Sequence, residues 1–120
     1  MSSGQIGNSI FVVNSATVPA VDFDRSGAVK VKVQHLIGEG QRSKWFALRL
    51  YTIEKGGHTP VDQHEYEHQA YILKGHGILR KEGVRLPLRP RDAVFIPSNT
   101  VHQFTNERGE PFVYLLLNIL

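Results

Sequence analysis

The chain has 120 residues, 14 Lys plus Arg against 11 Asp plus Glu, and no cysteine. That length builds one domain around a single core, and the absence of thiols excludes disulfides, thiolate catalysis and Cys-ligated zinc or iron–sulfur centres. The net charge of +3 is scattered along the chain; no basic run alternates with stacking aromatics, which argues against nucleic acid as a partner.

Residues 1–25 are weakly patterned and are expected to form an arm or edge strand ahead of a main domain over 26–120. The first Lys or Arg is Arg25, and the apolar patch "IFVV" is too short for a leader or a membrane span. A cytoplasmic location without membrane contact is therefore expected. "AVKVKVQHL" sets Val29, Val31 and Val33 against Lys30, Lys32 and Gln34, the two-residue period of a half-buried strand. His35 continues that edge pattern. "WFALRLYTIE" reads as a second strand, with Trp45 and Phe46 as core or dimer packing. Arg49, between Leu48 and Leu50, reads first as half of a surface or interface ion pair; the competing reading has it reach an anionic substrate from a barrel wall. "GGHTP" puts His58 in a turn. "QAYILKG" and "GILRKEG" end at Gly75 and Gly83 and together predict a hairpin, with His76 in its turn. "VRLPL", "AVFIPS", "HQFTN" and "PFVYLLLNIL" follow. The last is almost wholly apolar, as in a strand buried on both sides or at an interface. The prolines fall at strand edges and turns, where a missing N–H does least harm. Many short strands punctuated by Gly and Pro predict an all-β sandwich or barrel.

The densest chemistry is "VDQHEYEH", residues 61–68. On a regular strand, alternate side chains share a face, so Asp62, His64, Tyr66 and His68 point one way and Gln63, Glu65 and Glu67 the other. Asp62 and His64 would stand roughly 7 Å apart along the strand, within reach of one ion. Glu65 and Glu67 would then be solvated. A bulge would invert this assignment. Downstream, "IPSNTVHQFTN" presents His102 after a Pro-Ser-Asn turn, where an opposite strand of a barrel could supply another ligand. Three imidazoles and a carboxylate suit Mn, Fe, Co, Ni or Zn and disfavour Ca or Mg. Phe104 and Asn106 share parity with His102; Phe104 is placed in a substrate pocket and Asn106 in a turn-fixing role.

These spacings resemble the two motifs of the cupin superfamily. The first motif corresponds to Gly56, five residues, Asp62-Gln63-His64, three residues, His68, six residues and Gly75. The second corresponds to Arg91, five residues, Pro97-Ser98-Asn99, two residues, His102, three residues and Asn106. Fifteen residues separate them, as in small single-domain bacterial cupins with a manganese-type, histidine-rich site. Three letters depart from the pattern. Arg91 and Asn99 replace glycines, and Asp62 stands where the family has its first histidine. Asp62 has three readings: a carboxylate ligand exchanged for imidazole, an acceptor that orients His64 or His102, or the mark of a site that no longer binds metal.

The resemblance implies a double-stranded β-helix, the cupin jelly-roll barrel, enclosing a cavity. It implies one divalent transition metal per chain, Mn or Fe first and Ni or Zn next, held by Asp62, His64, His68 and His102, with Tyr66 and Phe104 in the substrate pocket. No further catalytic residue is evident unless Asp62 is free to act. The implied activity is a dioxygenase or oxidase working on a small organic substrate. A ligand-binding module without turnover and a metal-assisted isomerase are the alternatives. The family also implies a homodimer built by sheet extension, to which the apolar end segment would contribute.

Overall fold

The computed structural model describes residues 5–7 and 10–120; the segment expected as an arm over 1–25 lies partly outside them. The strands are β1 (Gln5–Gly7), β2 (Ile10–Val12), β3 (Val21–Asp22), β4 (Val29–Ile37), β5 (Phe46–His58), β6 (His68–Lys74), β7 (Gly77–Lys81), β8 (Val84–Leu88), β9 (Ala93–Ile96), β10 (Gln103–Thr105) and β11 (Phe112–Ile119). The only helices among the described residues are two single 3₁₀ turns, Ser15–Thr17 and Glu39–Gln41. None is long and apolar enough to cross a membrane. β1 and β2 pair with each other. All the other strands join one antiparallel sheet, in which β8, β7, β10, β5, β11, β6 and β9 are successive neighbours and β4 pairs with both β5 and β3.

The sheet curls into a jelly-roll barrel because its strands alternate. On β11, Phe112, Tyr114, Leu116 and Asn118 are buried, while Val113, Leu115 and Leu117 between them are half-buried on the outer side. Opposite them on β5 stand Ile53, Tyr51, Arg49 and Ala47. One apolar cluster draws residues from every strand from β4 to β11, which a flat sheet could not bring together. Its centre is aromatic. Tyr114 stacks on Tyr51 and on Phe104, with ring centroids 5.4 Å and 4.5 Å apart, and Phe112 lies 5.3 Å from Tyr114. Such contacts add to the burial of large rings.

The structure corrects four expectations. "QAYILKG" and "GILRKEG" are strands, but they do not form a hairpin: β6 pairs with β11 and β9, and β7 pairs with β10 and β8. Between them the chain crosses from one limb of the sheet to the other. That crossing needs its glycines. Gly75 has φ +75°, and a Cβ there would collide with the Pro111 carbonyl; a Cβ on Gly77 would enter the Phe112 ring. His58 is not in a turn but ends β5, paired with Val29 and Thr105, because the strand runs on through Gly56 and Gly57. Trp45 is 71% exposed and Phe46 is exposed too, so neither is core. Finally, β11 is hydrogen-bonded along both edges, to β5 and β6. It offers no free edge for sheet extension, and its exposed apolar side chains are on the outer face.

The two motif glycines replaced in this chain keep the glycine backbone. Arg91 has φ +78° and Asn99 has φ +58°. Asn adopts this region readily, whereas Arg does so at a cost of about 1 kcal/mol. The turn imposes it: Arg91 N–H donates to the Ile72 carbonyl at 2.8 Å, and Asp92 accepts from the Arg89 N–H at 3.0 Å.

Candidate metal centre

His64, His68 and His102 converge. Each offers a ring nitrogen, and the three lie within 4.8 Å of one another. Three different elements deliver them. His68 is the first residue of β6, so it is fixed by that strand's pairing with β9 through Ile96. His102 precedes β10 and forms an isolated bridge with Asp62, each backbone N–H donating to the other's carbonyl at 2.9 Å. His64 lies in the loop between β5 and β6, where its carbonyl accepts the Asn99 N–H at 2.7 Å.

Residues 61–67 are therefore not a regular strand, as the alternation argument assumed; Glu65 and Tyr66 form a bend. Burial nevertheless follows the alternation, Tyr66 excepted. Asp62, His64 and His68 are turned inward to differing degrees, and Gln63, Glu65 and Glu67 are exposed. Tyr66 lies flat on the His64 ring, centroids 3.9 Å apart and planes 3° apart; it is 41% exposed and is one of the residues lining the cavity.

Hydrogen bonds prepare the nitrogens for a cation. His64 Nδ1 lies 2.9 Å from the Tyr66 carbonyl, and His102 Nδ1 lies 2.8 Å from the Thr100 carbonyl. A carbonyl only accepts, so Nδ1 carries the proton in both rings and Nε2 keeps its lone pair. The Nε2 of His64 is buried with no hydrogen-bond partner, and so is the Nδ1 of His68. Burial, followed by the neighbouring His64 and His102, pushes the His68 pKa down to about 4. Burial also lowers His102, although the Thr100 carbonyl opposes the shift. The three rings bring their nitrogens to one point, and His64 and His68 each hold a buried nitrogen without a hydrogen-bond partner. That donor set fits a divalent transition ion of borderline softness.

The same shifts predict an acid-sensitive apo form. A histidine whose folded pKa is depressed binds protons more readily when unfolded, so its contribution is intact above pH 6.5 and is lost as pH falls towards 4. Urea denaturation of the metal-free protein should show stability falling across that window. A flat profile between pH 7 and 4.5 would contradict it.

Asp62 is not within the 4.8 Å group. Its Oδ2 pairs with Arg25 Nη1 at 2.8 Å. This bond, more than any other influence, holds its pKa below the usual carboxylate value. Asp62 still lines the cavity that His68 and His102 border. That cavity measures about 260 Å³, and Tyr51, Tyr66, Phe104 and Tyr114 contribute its aromatic wall. Asn106 is 1% exposed and does not reach the cavity; its amide donates to the carbonyls of Ile53 and Glu110 and its oxygen accepts the Arg108 N–H, which fixes the turn before β11. Arg25 and Asn118 are among the lining residues that went unread in the sequence. Arg25 comes from the weakly patterned segment and gave no periodic signal. Asn118 did carry one, as the single polar letter among Phe112, Tyr114 and Leu116.

The Cupin domain family matches residues 49–118, more than half the chain and both histidine segments. This protein is a cupin. Among solved structures, the polyketide cyclase RemF from Streptomyces resistomycificus superposes with a TM-score of 0.86 at 27% identity, covering 90% of this chain and 78% of that one. A structure from Thermotoga maritima described as a predicted oxalate decarboxylase gives 0.77 at 26% identity, covering 91% and 98%. Among curated proteins, the 1-methylthio-D-xylulose 5-phosphate methylsulfurylase of Rhodospirillum rubrum is 31% identical over 70 residues. Those residues are 58% of this cupin but only 45% of the relative, so the cupin spans under half that enzyme's length.

Proposed function

We propose that this cupin is a metal-dependent enzyme of the dioxygenase or oxidase type, acting on a small organic substrate held in the barrel. The observation that supports it most is the convergence of three imidazoles, two of which, His68 and His102, line an aromatic-walled cavity. His64, His68 and His102 hold the ion. Asp62 serves as the fourth group, because an exposed pair such as Arg25–Asp62 contributes only about 0–1 kcal/mol and gives way readily. When bound, the metal supplies Lewis acidity or a redox couple, with Mn or Fe the favoured ions. The carbonyls of Tyr66 and Thr100 keep two ligand rings in the tautomer that leaves Nε2 free. Phe104 and Tyr66 shape the substrate's berth.

Oxygen electrode measurements on the iron- or manganese-loaded protein, against a panel of small organic acids and phenols, should register substrate-dependent uptake. The fold neighbour RemF favours a second reading, in which the metal assists a proton shift or ring closure without oxygen. Turnover under strict anaerobiosis would select that reading and remove the first. Binding without turnover in either atmosphere would leave a ligand-binding module. The assembly is proposed to be a homodimer in which a second copy covers the outer face, where Leu48, Tyr71, Phe95, Leu115 and Leu117 line an apolar groove. Light scattering at micromolar concentration should give about twice the chain mass; a monomer would rule out the pairing.

A further inference from the structure

Arg49 is on the inner face of the barrel. It shares parity with Ala47, Tyr51 and Ile53, all buried, and stands opposite buried Leu116 on β11 and His35 on β4. It lines the same cavity as His68 and His102. Its Nε is buried and has no hydrogen-bond partner. Among the described residues no carboxylate pairs with it: Asp62 is taken by Arg25, Asp22 by Lys32, and Glu107 by Arg80 and Arg85. The ion pair expected from the sequence is therefore absent.

A guanidinium stays charged at any pH the fold survives. Holding it against an apolar core without a counter-charge is unfavourable, and a nearby anion would relieve that. The cross-strand neighbour cannot help, since His35 is a base; burial first and the Arg49 charge second depress its pKa. The cavity's charged and metal-binding lining thus comprises the rings of His68 and His102, the Arg25–Asp62 pair, and the guanidinium of Arg49, which has no carboxylate partner.

Building on the reading of this cavity as a substrate site, we propose that Arg49 anchors a carboxylate of the substrate while the rest of the molecule lies towards the histidines. The planar fork of the guanidinium matches a carboxylate with two parallel N–H···O bonds. A cavity of about 260 Å³ is at the small end for ligand sites, which points to a small organic acid.

Benzoate and benzamide share a shape and differ in charge. Both should be titrated calorimetrically into the full chain, metal-free and zinc-loaded. The wild type is expected to prefer benzoate by at least about tenfold in both forms, the scale of a well-placed charged hydrogen-bond pair. Arg49→Met should abolish that preference while zinc content stays as in the wild type and the melting temperature does not fall, and Arg49→Lys should keep part of it. Should Arg49→Met fail to fold, Arg49→Gln takes its place in the same comparison. An undiminished preference in the folded neutral variant, or no benzoate preference in the wild type, overturns the assignment. If the wild type takes up no zinc yet prefers benzoate, the metal reading fails and Arg49 stands.

Discussion

His68→Ala should lower affinity for zinc or manganese by at least about a hundredfold, since even groups that merely support a ligand are worth ten- to a hundredfold. The expectation is strongest at this position. His68 is 7% exposed, its Nδ1 has no partner within the protein, and burial holds its pKa down at about 4, so it is available to a metal near neutral pH. His64→Ala and His102→Ala should behave alike. Asp62→Ala should cost less, about tenfold, because its carboxylate already has Arg25. Glu67→Ala is the control: Glu67 is adjacent in sequence but exposed, and metal content after dialysis should be unchanged. Equal loss from Glu67→Ala and His68→Ala, by elemental analysis, would refute the three-histidine centre.

Phe112→Ala should destabilise the fold by about 3–5 kcal/mol, the usual cost of removing a buried aromatic ring. Phe112 is fully buried, begins β11, contacts the Tyr114 ring and packs over Gly77 where the chain crosses between the limbs of the sheet. The cavity left behind could not be filled by collapse, since the surrounding positions belong to strands held by their own ladders. Gly77→Ala attacks the same contact from the other side, and Phe112→Leu should partly rescue it by withdrawing the ring. Denaturant titration of the four proteins tests both statements. A Phe112→Ala loss below about 1 kcal/mol would show that this ring is not a centre of the core.

The alternation of Val31 and Val33 against lysines, and of Phe112, Tyr114 and Leu116 along β11, was legible because one side of each strand is core; Val29, expected on the same side, is 41% exposed beyond a register shift. Pairing was less so. Gly75 and Gly83 look alike as letters, yet one marks a crossing against Pro111 and the other a hairpin tip with open space around it. Only the partner strands, distant in sequence, distinguish them. Gly56 and Gly57 read as a turn, but the strand absorbs them: a Cβ on Gly57 would meet the Val29 carbonyl, so the glycine there admits a neighbouring strand. For residues 61–67 burial followed the alternation, Tyr66 excepted, although no regular strand forms, since what orients Asp62 and His64 is bonding to His102 and Asn99. The partner of Asp62 was beyond reach. Arg25 is 37 residues away, and no local pattern ties the two together. Arg49 was misjudged because ion pairs are the common fate of strand arginines, and their absence is visible only in three dimensions.

The convergence of His64 and His102 has a mechanical consequence. They are 38 positions apart in the chain, and a shared ion would join them as a cross-link. Closing a long loop removes freedom from the unfolded chain and so favours the folded one. In a protein without cysteine no covalent bridge can do this. The histidines therefore offer a reversible staple, pinning the loop between β5 and β6 to the start of β10, which chelators or mild acid would open and fresh metal would close.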